Sequence, residues 1–258
     1  LQMKKLKFKK KIKILDPKKI FEYSLNNKSI NLININYNQN YAFEKISTKS
    51  NNYIKESFAV AIKLIKKGYT DKLINGPISK KTFLNKRFLG ITEYISKQFS
   101  IKENVMLIYS NKLSVCPITT HLPIKLVSKQ INRKTIIPKI EIINKFYQKR
   151  FNIKPKIAIL GLNPHCESIL KINEDEKIIA PIVNILKKRK INISGPYPAD
   201  TIFLKKNRIN FDVIVGMYHD QVLTPIKTLV EYNAINITLG LPFIRISPDH
   251  GPNENMVG

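Results

Sequence analysis

The segment Lys156-Ile157-Ala158-Ile159-Leu160-Gly161-Leu162-Asn163-Pro164-His165 decides the fold. Its apolar run shows no polar alternation, so the strand it predicts is buried on both faces, as in a parallel sheet covered by helices on both sides. The run breaks at Asn163-Pro164, and a histidine follows at once. The arrangement recurs where Thr119-Thr120-His121-Leu122-Pro123 closes one apolar run and Met217-Tyr218-His219-Asp220-Gln221 closes another. An α/β sheet presents its chemistry at strand ends, and imidazoles from three such ends can converge on one divalent ion. A single histidine near a strand end is more often a hydrogen-bonded structural residue, so the expectation rests on the three together.

Outward from this segment, helices and strands alternate. Tyr53 to Lys67 carries helical apolar spacing through Ile54, Phe58, Ala61, Ile62 and Ile65, and Gly68 ends it. A short strand from Lys72 to Asn75 runs into Gly76-Pro77-Ile78-Ser79, where Ser79 is placed to cap a helix through Leu84. Val105 to Tyr109 and Leu113 to Ile118 predict a hairpin turning at Asn111-Lys112. Arg133 to Arg150 predicts a helix, as does Glu174 to Lys190, with acidic residues in its first turn and basic ones in its last. Further strands are expected at Ile191 to Ile193, Phe211 to Met217 and Ala234 to Leu239. The fold class is therefore α/β, with mainly parallel sheets covered by helices.

Composition narrows the function. The 258 residues carry 45 Lys and Arg against 18 Asp and Glu, a net charge of +27. The lysines are spread along the whole length, Arg is scarce, and Asn and Ile are equally abundant. That is a compositional bias, and it predicts weak polyanion binding without specific nucleic-acid recognition. The two cysteines, Cys116 and Cys166, form no disulfide framework or metal spacing and suit a reduced, cytoplasmic setting. No apolar stretch is long enough for a membrane helix. Neither G-x-G-x-x-G after a strand nor a P-loop is present, so any nucleotide is held another way.

Several segments then carry a resemblance. They are Asn75-Gly76-Pro77-Ile78-Ser79-Lys80, Gly90-Ile91-Thr92-Glu93-Tyr94, Thr119-Thr120-His121-Leu122-Pro123, Gly161-Leu162-Asn163-Pro164-His165, Gly195-Pro196-Tyr197-Pro198-Ala199-Asp200-Thr201, Tyr218-His219-Asp220-Gln221 and Asn236 to Arg245 with Asp249-His250-Gly251. In this order the chain resembles the 4-hydroxythreonine-4-phosphate dehydrogenase family of pyridoxal phosphate biosynthesis.

The resemblance implies a two-domain fold similar to isocitrate and isopropylmalate dehydrogenases, which bind NAD or NADP without the usual glycine fingerprint. The first domain would take 1–110 with 235–258, the second 111–234, with the active cleft between them and a homodimer completing the site. It implies His121, His165 and His219 as ligands of one Zn²⁺, Co²⁺ or Mg²⁺ ion, with His250 outside the set. Asp200 and Lys227 would handle protons. Thr92, Lys227, Asn236 and Arg245 would hold the substrate, Arg245 taking a carboxylate or phosphate in its planar fork. Gly161, Asn163, Leu241, Asp249, His250 and Gly251 would border the nicotinamide. The implied reaction oxidises 4-phosphooxy-L-threonine to 2-amino-3-oxo-4-phosphooxybutanoate, which loses CO₂ to give 3-amino-2-oxopropyl phosphate.

The chain also departs from the family pattern. Ile91 stands where the family has a substrate-contacting His, Val222 replaces a Gly, and Cys166-Glu167-Ser168-Ile169-Leu170 replaces a glycine-rich stretch. The family's first strand and its closing helical segment lack counterparts, so the chain reads as a fragment. Two other readings stay open: a dehydrogenase of another 4-phosphorylated hydroxy acid, such as threonate 4-phosphate, and a non-catalytic basic binding protein on the same fold.

Overall fold

A computed structural model describes residues 1–83, 90–167 and 173–251. The chain forms two compact units, one of Leu1–Gln98 with His250–Gly258 and one of Phe99–Asp249.

The first unit holds a short parallel ribbon, β1 (Ile12–Ile14) on β2 (Ile30–Leu32), then helix α1 (Asn51–Lys66), strand β3 (Lys72–Ile74) and helix α2 (Ile91–Gln98). Helix α1 buries Phe58 and Ile62. The Phe58 ring packs on Phe83 and Tyr94, with centroids 6.1 and 5.6 Å away. After α1 the chain turns at Gly68, whose φ of +77° suits a residue without Cβ. The expected helix after Ser79 spans Lys80–Phe83, and Leu84 lies outside the described residues.

The second unit is built on a mixed sheet. Its strands are β4 (Val105–Tyr109), β5 (Ser114–Pro117), β6 (Ile157–Leu160), β7 (Ile193–Tyr197), β8 (Val213–Gly216), β9 (Ile235–Leu239) and β10 (Ile244–Pro248), in the spatial order β10-β9-β4-β5-β8-β6-β7. β5, β8, β6 and β7 run parallel, while β4, β9 and β10 form an antiparallel margin. β4 bonds to β5 and β9 bonds to β4, so both belong to this unit. For that reason its limits fall at Phe99 and Asp249, outside the 111 and 234 read from the sequence.

The unbroken apolar strands feed two cores. Ile157, Ile159, Val213, Val215 and Cys116 face one, with helix α3 (Arg133–Phe151) contributing Ile136, Ile140, Ile143 and Tyr147 and helix α4 (Ala180–Lys188) contributing Ile182, Val183 and Leu186. Ala158, Leu160, Ile214 and Val115 face the other, with Ile202 of the short helix α5 (Ala199–Ile202) and Val222, Leu223 and Ile226 of helix α6 (His219–Val230). Side chains alternate across a strand, so strands covered on both faces are apolar along nearly their whole length. Asn132 caps α3 by accepting from the Thr135 N–H at 3.1 Å. α4 begins as a π-helical turn, Asp175–Ile179. Among the described residues no helix is long and apolar enough to cross a membrane.

Two acidic hydrogens are trapped in the first core. Burial pushes the Cys116 thiol from 9.0 up to about 12, against the pull of Lys139. Burial likewise pushes the Tyr147 phenol from 10.0 up to about 12, although its hydrogen bond to Ser114 acts the other way. Both groups stay neutral in the fold after the unfolded chain has begun to release these protons. Their contribution to stability is therefore complete below pH 9 and is lost as pH rises toward 12. Urea midpoints should fall through this window, and Tyr147→Phe should flatten the decline; an equally steep decline would contradict the assignment.

Candidate active site at the strand ends

The three histidines leave the carboxyl ends of three adjacent strands. β5 and β6 both pair in parallel with β8, so His121 after β5, His219 after β8 and His165 after β6 emerge on one edge of the sheet. His121 and His219 stand together, their ring centroids 6.3 Å apart. His219 opens α6, and its Nδ1 meets Asp220 Oδ1 at 2.6 Å. His165 sits exposed in the Pro164–Cys166 turn with φ +56°. Among the described residues no group of three or more His, Cys, Asp or Glu side chains stands close enough to hold a metal. The donor chemistry of the His121 and His219 pair fits a divalent ion, and the next strand end carries the third imidazole.

Around this edge the backbone is held by buried side chains. The Thr119 hydroxyl donates to the Met217 carbonyl at 2.8 Å. Gln221 accepts from the Met217 N–H at 2.7 Å and donates to the Gly161 carbonyl at 2.8 Å. Asp175, fully buried, accepts from the N–H of Leu162 at 2.6 Å, the N–H of Asn163 at 3.1 Å and Asn163 Nδ2 at 2.8 Å. Lys139 donates to the Ile118 carbonyl at 2.7 Å. Sequence reasoning missed these four. The available signals are a Gln two residues beyond His219 and an Asp in the acidic first turn of a helix, a position that the helix dipole alone accounts for.

The other expected residues fall as follows. Lys227, in the last turn of α6, donates to Asp249 Oδ2 at 2.8 Å; Lys227 is part-exposed, whereas the Asp249 side chain is 1% exposed. Among the described residues, Asp249 Oδ1 and Asn236 Oδ1 are buried without a hydrogen-bond partner. Arg245 is 3% exposed, which excludes a surface ion pair, and its guanidinium reaches Thr238 Oγ1 at 2.9 Å on the strand opposite. Asp200 is exposed in α5, where Pro198 holds the cap position and no side-chain cap bond forms. Leu241 follows Gly240, whose φ is +91° and where a Cβ would lie 2.7 Å from the Glu103 carbonyl. In the first unit, Thr92 lies in the first turn of α2 beside the buried Ile91, and His250 Nδ1 meets the carbonyl of Gly251 at 2.8 Å.

Two departures from the family pattern acquire a physical reading. Val222 has an ordinary helical backbone inside α6 and is fully buried, its Cγ1 filling the space over Gly216. No strain arises there. Cys166 packs against Gly161 amid acidic neighbours; burial first, then Asp175, pushes its thiol up to about 11. Ser168, Ile169 and Leu170 lie outside the described residues.

Comparison with known proteins supplies the lineage. The family model described as pyridoxal phosphate biosynthetic protein PdxA matches residues 2–258. A 4-hydroxythreonine-4-phosphate dehydrogenase of a Sulfurihydrogenibium species is 45% identical over 202 residues, covering 77% of this chain and 62% of that protein. One from Bradyrhizobium diazoefficiens is 36% identical over 210 residues, covering 78% and 61%. A crystal structure of 4-hydroxythreonine-4-phosphate dehydrogenase from Klebsiella pneumoniae superposes with a TM-score of 0.79 at 30% identity, covering 94% of this chain and 74% of that one. The chain thus spans about three fifths of the length of these curated relatives.

The packing at Gly161 is open to a direct test. A Cβ there would lie 2.6 Å from Cys166 Sγ and 2.7 Å from Asp175 Oδ1. Gly161→Ala should cost about 1–3 kcal/mol in urea unfolding. Adding Cys166→Ala should recover only part of it, since Asp175 is pinned by its hydrogen bonds. Full recovery would show that Asp175 is free to move.

Proposed function

Because this chain belongs to the family of the pyridoxal phosphate biosynthetic protein PdxA, we propose that it oxidises 4-phosphooxy-L-threonine with NAD or NADP and releases the decarboxylated product, 3-amino-2-oxopropyl phosphate. The observation that carries this reading is the placement of His121, His219 and His165 after three adjacent parallel strands, with two of the rings 6.3 Å apart. A Zn²⁺, Co²⁺ or Mg²⁺ ion held by these imidazoles would acidify the substrate hydroxyl and polarise the carbonyl that forms from it. A nicotinamide would take the hydride, with Leu241 and Asp249 along its edge.

The protein's own groups do the rest. Asp200, exposed and not engaged as a helix cap, accepts the hydroxyl proton. Loss of CO₂ from the β-keto acid leaves an electron pair that passes into the adjacent ketone. Lys227, held by Asp249 at 2.8 Å, returns a proton to the carbon. The buried Asn236 Oδ1 accepts from the substrate ammonium, a donor that matches its missing partner. Arg245 pairs with the carboxylate or phosphate, where its planar fork gives two parallel hydrogen bonds. The substrate is then a small phosphorylated hydroxy amino acid, and the chain acts as a homodimer in pyridoxal phosphate biosynthesis.

A second substrate is kept open by one residue. Ile91 is 6% exposed and lacks the polar contact that a histidine would make with substrate, which keeps threonate 4-phosphate as an alternative substrate. Absorbance of NADH or NADPH formed from each compound, with Zn²⁺ or Co²⁺ supplied, separates the two. Turnover is expected on phosphooxythreonine. Alanine at His121, His165 or His219 should abolish metal retention and activity together, and Lys227→Ala should lower kcat by roughly 10²–10⁴-fold. Metal-loaded protein that turns over neither compound would overturn the reading; a faster rate on threonate 4-phosphate would transfer it to that substrate.

A further inference from the structure

The side chains proposed to meet the substrate rest on unequal supports. Asn236 lies on β9 and Arg245 on β10, where the antiparallel register sets Arg245 opposite Thr238 and Ser247 opposite Asn236. Ile237, Leu239 and Ile246 of the same strands pack in the first core. Side chains alternate across a strand, so Asn236, Thr238, Arg245 and Ser247 share the other face. The strand register thus fixes Asn236 and Arg245 relative to each other. Lys227 has no such support, because it hangs from the last turn of α6 on a long flexible stem.

Asp249 supplies the tie. It follows Pro248, the last residue of β10, and its Oδ2 accepts from Lys227 Nζ at 2.8 Å. The two partners differ in exposure: the Asp249 side chain is 1% exposed and the Lys227 side chain 38%. A carboxylate sealed from water holds an ammonium more firmly than a solvated one does, because buried charges are screened much less. The same burial keeps the Asp249 side chain from touching a bound molecule. Whatever this carboxylate does for the substrate it therefore does through Lys227. An ammonium carries three N–H donors, so one bond to Asp249 can anchor it while the others serve the substrate.

We propose that Asp249 is a positioning residue: it ties the Lys227 ammonium to the end of β10 and so sets it relative to Asn236 and Arg245. The inference rests on the reading of Lys227 as the group that returns a proton to the substrate carbon. Misplacing a reacting group by about 1 Å costs on the order of 100-fold in rate. A lysine released from its carboxylate spreads over many rotamers, and only some of them reach the reacting carbon. The loss therefore falls on kcat, whereas dinucleotide binding does not pass through this side chain.

The test uses the full chain. Asp249→Asn keeps the shape and removes the charge, Asp249→Glu keeps the charge on a longer arm, and Ile140→Val in α3 is the control for simple loss of core packing. The first readout needs neither metal nor cofactor: the rate at which acetic anhydride acylates Lys227, followed by peptide mass spectrometry. Asp249→Asn should raise this rate about 3–10-fold. Asp249→Glu should raise it less, and Ile140→Val should lower the unfolding temperature with the rate unchanged. The second readout is a double-mutant cycle on kcat with Zn²⁺ or Co²⁺ supplied. Asp249→Asn should lower kcat about 10–100-fold with the KM for NAD or NADP unchanged, and should have no further effect in a Lys227→Ala background. An unchanged acylation rate in Asp249→Asn would overturn the positioning role, as would a loss of kcat that persists in full when Lys227 is alanine. Should Asp249→Asn fail to fold, Asp249→Ser is read by the same two outcomes. Turnover by Lys227→Ala at the unsubstituted rate would remove the premise. If the unsubstituted, metal-loaded chain turns over neither compound, the proposed function fails and the positioning role with it, whatever the acylation rates.

Discussion

Burial of β5, β8 and β6 on both faces is the constraint from which the rest of the structure follows. Apart from Ser114 at the start of β5, the side chains along these strands are apolar, and Val115, Cys116, Ala158, Ile159, Val213, Ile214 and Val215 are all fully buried. On these three parallel strands polar chemistry is displaced to the carboxyl ends, where the chain leaves the two cores. Parallel pairing then puts all three exits on one edge. The candidate metal ligands thus share an edge because the strands are parallel, although they are far apart in sequence.

An exit of this kind is a weak point. Where a strand stops, backbone groups lose their ladder partners and must find others or remain unsatisfied. This chain meets the need with side chains from neighbouring elements: Gln221 from α6, Asp175 from the π-helical start of α4, Lys139 from α3 and Thr119 from the adjoining strand end. The same bonds that satisfy the backbone also hold the strand ends in place. Stability and site geometry therefore share their parts at this edge.

Much of this was legible in the sequence, and the limits have physical causes. The β6 run, the hairpin of β4 and β5, and helices α1 and α3 could be read from local periodicity, because one residue's environment there repeats along the element. β10 could not, because its short run lies between proline-containing segments and is completed by pairing with β9. Helix α6 was obscured by Pro225 and by the polar motif that begins it. The histidine-bearing motifs stand out because histidine is rare in this chain, whereas Gln221 and Asp175 act through partners distant in sequence, at Gly161 and Leu162. The burial of Arg245 against Thr238 depends on a strand register that no local pattern reveals.

High net charge is the most conspicuous property of the sequence and bears least on the site. The strand-end edge is lined by groups of both signs and by neutral ones, with Asp175, Glu174, Asp200 and Asp220 near the histidine turns. A divalent cation suits such surroundings better than a polyanion does. The most direct test of the central claim is zinc X-ray absorption on the chain loaded with one equivalent of Zn²⁺. The account predicts three imidazole nitrogens at about 2.0–2.1 Å, falling to two when His165 is replaced by alanine. A shell with fewer than three imidazoles in the unsubstituted chain, or one that His165→Ala leaves unaltered, would contradict it.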